Sequence, residues 1–220
     1  MLSELEDENT PFYTIKSFSV IVCIAVALAW IFDHLYATDT VYYNSLAEQF
    51  SVEKIDELLE LRSKWSILVY CFIPLFYLIK FTLVAGCIWI GLTMVDSTIS
   101  FKKIFTVAIQ SEAVFLSATL LKIFWLGFGN ESDYDLNDIQ IFYPFSLLNF
   151  FDTEKIDPLL IYPLQLVNPF EVIYCIVISF KIKQIIKKIS FTKSLKLISL
   201  SYGLGVMFWI IFLSFILISI

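Results

Sequence analysis

The 220-residue chain is 59% hydrophobic and only 16% charged, more apolar surface than a soluble domain of this size can bury, so it reads as an integral membrane protein. The net charge of −6 speaks against nucleic acid as a partner, although in a bilayer protein the division of charge between loops matters more than the total. Cys23, Cys71, Cys87 and Cys175 all fall inside apolar runs without CxxC or metal-ligand spacing, which leaves small buried thiols and implies neither a metal nor a cofactor.

Taken in chain order, residues 1–16 form an acidic tail (Glu4, Glu6, Asp7, Glu8) without the basic start and small-residue cleavage site of a signal peptide, so the first apolar segment reads as a retained helix. A spanning helix needs about 20 predominantly apolar residues. On that criterion residues 17–220 form an all-α bundle with five transmembrane helices, at about 17–36, 66–95, 104–128, 169–187 and 195–220. Asp33 and His34 close the first span. With a single histidine in the chain they read as a solvated interfacial pair, not a metal site. Residues 52–64, VEKIDELLELRSK, place Ile55, Leu58, Leu59 and Arg62 at helical spacing among acids, predicting an amphipathic helix on the membrane or folded over the bundle, with a partner-binding helix as the alternative. The second span is longer than a bilayer needs and carries Pro74, which predicts a kink, a strong tilt or an interfacial first turn.

Ionisable side chains inside a span are costly and are functional candidates by default. At 1.5 Å per residue Glu112 lies about 13 Å, and Lys80 roughly 22 Å, from the same end of the bundle. That difference of roughly 9 Å exceeds direct contact between straight helices, unless side-chain reach and a kink close it. Gln110, Ser111 and Thr119 are the expected hydrogen-bond partners of Glu112, which is either a paired structural charge or a proton or cation site. Lys122 is expected to anchor the opposite end.

The segment FYPFSLLNFFDTEKIDPLLIYPLQLV is broken by Pro144, Pro158 and Pro163 into short apolar runs suited to the outer interface. Asn168 then reads as an N-cap, Pro169 as the first helical residue and Glu171 as a capping-box carboxylate, starting a short fourth span. Beyond it Ile182, Ile185, Ile186 and Ile189 continue the helical stripe, flanked by Lys181, Lys183, Lys187 and Lys188 at the level of anionic headgroups. No aromatic platform accompanies these lysines, which again disfavours nucleic acid. Lys16, Lys102, Lys103 and the six lysines Lys181, Lys183, Lys187, Lys188, Lys193 and Lys196 fall on one side. The other side has only Lys54, Arg62, Lys64 and Lys155, against carboxylates that include Glu131, Asp133, Asp135 and Asp138. The positive side is expected in the cytoplasm, with the N-terminus cytoplasmic and the C-terminus outside.

SFKKIFTVAIQSEA (100–113) and SFTKSLKLISLSYG (190–203) align without gaps: Ser100 on Ser190, Phe101 on Phe191, Lys103 on Lys193, Ser111 on Ser201. Serine caps, interfacial phenylalanine and cytoplasmic lysine give the match physical sense and imply two hairpins of the same direction behind the first span. Ser199/Gly203 and Ser201/Gly205 have small-xxx-small spacing, expected to serve packing within the chain.

The SFKK turn, the proline-broken outer segment, NPFEVIY and the basic turn KISFTKSLK, in that order over 66–220, resemble the Yip1 family of five-span membrane proteins. Eukaryotic members carry a DLYGP-type motif near the first span, absent here, and a glycine where the fourth helix meets its basic turn, here replaced by Lys181–Lys188. The resemblance therefore implies a bacterial-type member in the cytoplasmic membrane, the ER or Golgi membrane being the alternative, and it brings no reaction or substrate. With no GxSxG, HExxH, P-loop or dinucleotide fingerprint, and one histidine at an interface, no nucleophile, base and orienter assemble. The chain is expected not to be an enzyme, a lipid-modifying activity on scattered carboxylates being the weakest class left. The expected function is a non-catalytic adaptor or assembly subunit that binds partner membrane proteins. The alternative is a small permease or ion pathway using Glu112 and Lys80.

Overall fold

The computed structural model describes residues 2–95, 99–129 and 135–219, with side chains from Tyr13 onward except those of Glu154 and Ser219. The acidic tail side chains, Glu131 and Asp133 lie outside the described residues. Among these residues the chain is helical and has no strand: α1 Leu2–Tyr36, α2 Asp39–Leu46, α3 Val52–Thr93, α4 Phe101–Ser111, α5 Ala113–Leu126, α6 Leu136–Ile141, α7 Pro158–Leu166, α8 Pro169–Ile185 and α9 Phe191–Ser219. Four helices are long and apolar enough to cross a membrane: Tyr13–Tyr36, Val52–Thr93, Phe101–Leu126 and Phe191–Ile218. A fifth crossing exists if α7 and α8, bent by 43° at their junction, form one broken span.

Several boundaries differ from the sequence expectation. Residues 52–64 are not a separate surface helix; they are the first turns of α3, which runs unbroken through Pro74. At 1.5 Å per residue α3 is roughly 63 Å long, twice a hydrocarbon core of about 30 Å. It is too long to lie wholly within such a layer, and buried Ile55 and Val41 lie where α2 packs on α3. The fourth helix stops at Ile185 and does not continue along the isoleucine stripe. The chain turns at Ile186, and Ile182 before the turn and Ile189 after it are both buried in the same core cluster.

Two buried clusters share α3 and α4. One joins Ile21, Ala25 and Leu28 of α1 to Phe81, Ala108, Ile109 and Leu116. The other joins Ala85, Ile88, Leu92, Ile104 and Val107 to Tyr174, Ile178, Ile182, Ile198 and Tyr202. The hairpins α3–α4/α5 and α8–α9 thus face each other, with α1 against the first.

Close approach between α3 and α9 rests on small residues. A Cβ on Gly91 would stand 2.6 Å from Ser201 Cβ, and one on Gly205 would stand 2.6 Å from Cys87 Sγ, whereas nothing lies within 4 Å of such an atom on Gly203. Of the two small-residue pairs, Ser201/Gly205 therefore faces α3 and makes the intramolecular contact. The four cysteines are free thiols.

Candidate functional site

Lys80 and Glu112 meet. Nζ lies 2.5 Å from Oε1, the Glu112 side chain is 1% exposed and that of Lys80 39%. The expected gap is bridged by the reach of the two long side chains, and the third span is interrupted at Glu112 by one tightened turn between α4 and α5. There the backbone N–H of Glu112 bonds Ile109 C=O at 3.2 Å, one residue short of the α-helical partner, which tightens the turn. The lysine stem reaches in over aromatic rings, with Nζ 4.4 Å from the Phe115 centroid and 5.8 Å from that of Tyr77.

None of the three partners expected for Glu112 serves it. Gln110 accepts from Lys181 Nζ at 3.0 Å on the outside of the bundle. Ser111 and Thr119 donate back to the carbonyls of Val107 and Phe115, at 2.8 and 3.2 Å. Glu112 Oε2 is buried with no hydrogen-bond partner, and so is the hydroxyl of Tyr174, whose ring packs 4.7 Å from Phe115 and 5.4 Å from Tyr202.

Through Tyr202 the site reaches a second carboxylate. Asn168 is the N-cap of α8, accepting from the Glu171 N–H at 3.1 Å, but Glu171 does not complete a capping box. Its side chain instead crosses to α9 and accepts from Tyr202 Oη at 2.7 Å. The reason lies in the break before α8: Asn168 Nδ2 donates to Gln165 and Leu166 carbonyls at 2.9 and 3.3 Å, and its own N–H bonds Leu166 C=O at 3.0 Å. Asn168 thus closes α7 with its amide nitrogen and opens α8 with its amide oxygen, leaving its backbone donor no use for Glu171. Leu147 N–H satisfies the Val167 carbonyl in the gap, at 2.8 Å. A continuous run of rings joins Glu171 to the ion pair: Tyr202 packs on Tyr174, Tyr174 on Phe115, and Lys80 Nζ lies over Phe115. The cluster therefore holds two carboxylates and one ammonium, with two interrupted helices around it.

The predicted lysines Lys102, Lys183, Lys187, Lys188, Lys193 and Lys196 are exposed, Lys103 and Lys181 half-buried, and they gather at the ends of α4, α8 and α9. Of the two aligned serines, Ser190 caps with its side chain, accepting from Lys193 N–H at 3.3 Å. Ser100 makes no side-chain cap and holds the first turn of α4 only through its carbonyl. Lys122 places Nζ 4.8 Å over the Phe32 ring, tying α5 to α1. Asp33 is not a merely solvated residue: it accepts from Arg62 at 2.5 Å and from Tyr70 Oη at 3.0 Å. Among the described residues no three His, Cys, Asp or Glu side chains are placed to hold a metal.

The residues that sequence reasoning missed are Tyr174 and Tyr202. Each read as one more aromatic in an apolar helix, yet the ninety-residue offset that aligns Ser100 with Ser190 also places Tyr202 opposite Glu112, a signal available in the repeat. Comparison of the chain with family models, with curated proteins and with solved structures gives no match.

Proposed function

We propose that the chain is a small five-span permease or ion pathway whose working site is Glu112, Lys80 and Glu171. The observation that carries this reading is charge: where two hairpins meet, a buried carboxylate, Glu112, takes the one lysine, Lys80, while a second, half-buried carboxylate, Glu171, has a phenol and no cation as its hydrogen-bond partner. A surplus negative charge in low dielectric is expensive, and one bound proton or small cation relieves it. Helices broken beside such groups, at the interface of structural repeats, are the arrangement secondary transporters use to hold an ion between alternating openings.

Orientation follows the lysines. On that count the ends of α3 and α8 and the starts of α4 and α9 face the cytoplasm, α7 with α8 counts as the fourth, broken span, and the membrane is taken as a bacterial cytoplasmic one on the resemblance to the Yip1 family. Impermeant maleimide labelling of Lys188→Cys and Asp157→Cys in a cysteine-free background should mark only the latter from outside the cell.

Reconstituted in vesicles loaded with a pH-sensitive dye, the protein should dissipate an imposed proton or cation gradient, and Glu112→Gln should abolish the flux while the variant stays folded. Flux no greater than that of empty vesicles, over a panel of monovalent ions and small solutes, would remove the proposal. A second reading, an adaptor that binds partner membrane proteins, is favoured by the first turns of α3, which carry exposed Val52 and Leu61. Crosslinking through cysteines at these positions would capture a reproducible partner.

A further inference from the structure

A cavity of about 400 Å³ opens at the end of α1 farthest from the lysine turns, lined by Trp30, Asp33, His34, Thr38, Asp39 and Arg62 among others. It is separate from the Glu112 cluster and independent of the permease reading. Its floor is matched internally. Arg62 donates to Asp33 at 2.5 Å and to the Ala37 carbonyl at 2.6 Å, and its guanidinium lies 4.6 Å over the Tyr42 ring. Asp33 accepts from Tyr70 with its second oxygen. Arg62 is thus paired with Asp33 and the Ala37 carbonyl, and an anionic ligand would meet the carboxylates of Asp33 and Asp39.

Three features remain for a ligand. Asp39 adds a carboxylate, so that Asp33, Asp39 and Arg62 together carry a formal charge of −1. Thr38 Oγ1 is buried without a hydrogen-bond partner. Trp30 is 55% exposed and its ring is stacked on His34 at 5.4 Å and 3°, which fixes the indole plane. A carboxylate, a hydroxyl acceptor and a rigid indole are what an alkylammonium needs: the charge pairs with Asp39, an N–H is accepted by Thr38 once a change of rotamer turns its unpartnered hydroxyl into the cavity, and the carbons next to nitrogen lie on the ring, where cation–π attraction is strongest for tryptophan. A bare metal ion is not served, because it would need several oxygen ligands and no group of three candidate side chains is placed to supply them among the described residues.

We propose that this cavity binds an organic ammonium group, held by Asp39, Thr38 and Trp30. The cavity lies where Trp30 and Trp65, both exposed, mark the end of the apolar helices, the level at which tryptophan meets lipid headgroups. The ammonium is therefore available either from a free amine or from an ethanolamine headgroup.

The test uses the full chain in nanodiscs of phosphatidylglycerol, which carries no ammonium. Titration with ethylammonium chloride should give a saturable change in tryptophan fluorescence that sodium chloride at matched ionic strength does not. Asp39→Asn should raise the apparent Kd roughly tenfold or more, which corresponds to about 1.4 kcal/mol. Thr38→Val should also weaken binding, and Trp30→Phe should remove the fluorescence change, with circular dichroism checking the fold of each variant. If phosphatidylethanolamine in the disc competes with ethylammonium, the source is lipid; if it does not, the source is a free amine, and either outcome supports the site. A response that does not saturate, that sodium reproduces, or that survives unchanged in folded Asp39→Asn and Trp30→Phe overturns it.

Discussion

Removing either partner of the Lys80–Glu112 pair should destabilise the bundle, but unequally, and the inequality follows from burial. At the observed 2.5 Å and an effective dielectric of about 20, the gross attraction is on the order of 7 kcal/mol, from which the desolvation of both groups must be subtracted. Lys80→Met leaves a carboxylate that is 1% exposed, with one oxygen already unpartnered. That variant should lose about 3–5 kcal/mol, the usual consequence of an orphaned buried charge. Glu112→Gln leaves a lysine whose side chain is 39% exposed and whose long stem can swing toward the lipid interface. The amide can also still accept from it, so the loss should be smaller, about 1–3 kcal/mol. Replacing both, as Lys80→Met with Glu112→Leu, should recover most of the stability, since a buried pair gains little over apolar packing of similar volume. Reversible unfolding in mixed micelles with increasing dodecyl sulfate measures all four proteins and closes a double-mutant cycle. If Glu112→Gln cost as much as Lys80→Met, or if both cost under about 1 kcal/mol, the pair would not be a buried charge interaction.

Three further outcomes follow from local geometry. Gly91→Ala should destabilise by about 1–3 kcal/mol through overpacking, because the Ser201 Cβ it would meet at 2.6 Å is fixed close to backbone, whereas Gly203→Ala, with nothing within 4 Å, should be neutral or stabilising by up to about 1 kcal/mol; the same micelle titration compares them. Asn168→Asp should cost about 1–3 kcal/mol even though aspartate is as good an N-cap as asparagine, because it loses the two bonds donated to the Gln165 and Leu166 carbonyls; an unchanged midpoint would refute the double cap. Tyr43 donates to Asp56, and that hydrogen bond first, with burial and the Asp56 charge behind it, pushes the phenol above its ordinary value. Since the raised group favours the protonated folded state, the α2–α3 contact should be intact below the ordinary tyrosine value of about 10 and loosen as pH rises past it. Asp56→Asn should bring the Tyr43 absorbance titration back down.

Four of the helices were legible because spanning segments are written in long apolar runs and their ends in lysine, serine and proline. Asn168 as an N-cap was legible for the same local reason. What the chain hides is tertiary. Nothing in VEKIDELLELRSK distinguishes a surface helix from the overhang of a longer one, because an amphipathic pattern needs only one apolar neighbour, and α2 supplies it. The end of α8 at Ile185 is likewise invisible, since four isoleucines in helical register read as continuing helix until Ile189 is seen buried. Glu112 is legible by its cost in an apolar segment, but its meeting with Lys80 depends on the reach of two long side chains, which residue counting along a helix does not convey.

The repeat carries the site further than either half does alone. Lys80 with Glu112 bridges α3 to the third span, over 32 residues; Glu171 with Tyr202 bridges α8 to α9, over 31. Shifting the first pair by ninety residues lands on Phe170 and Tyr202, within one residue of the second. The contacts between hairpins follow the same rule, for Gly91 meets Ser201, and the equivalent positions on α8 and α4 are Lys181, which donates to Gln110, and Ser111 beside it. Each hairpin therefore holds one polar bridge in the same register, but the residues differ: an ammonium and a carboxylate in one, a carboxylate and a phenol in the other. A symmetric bundle needs no such difference, and with an ion pair in both halves it would be neutral. Substituting phenol for carboxylate and carboxylate for lysine in the second half is what leaves the interface one negative charge in excess, and that excess, set between a third span interrupted at Glu112 and a bent α7–α8, is the physical ground for the ion site proposed there.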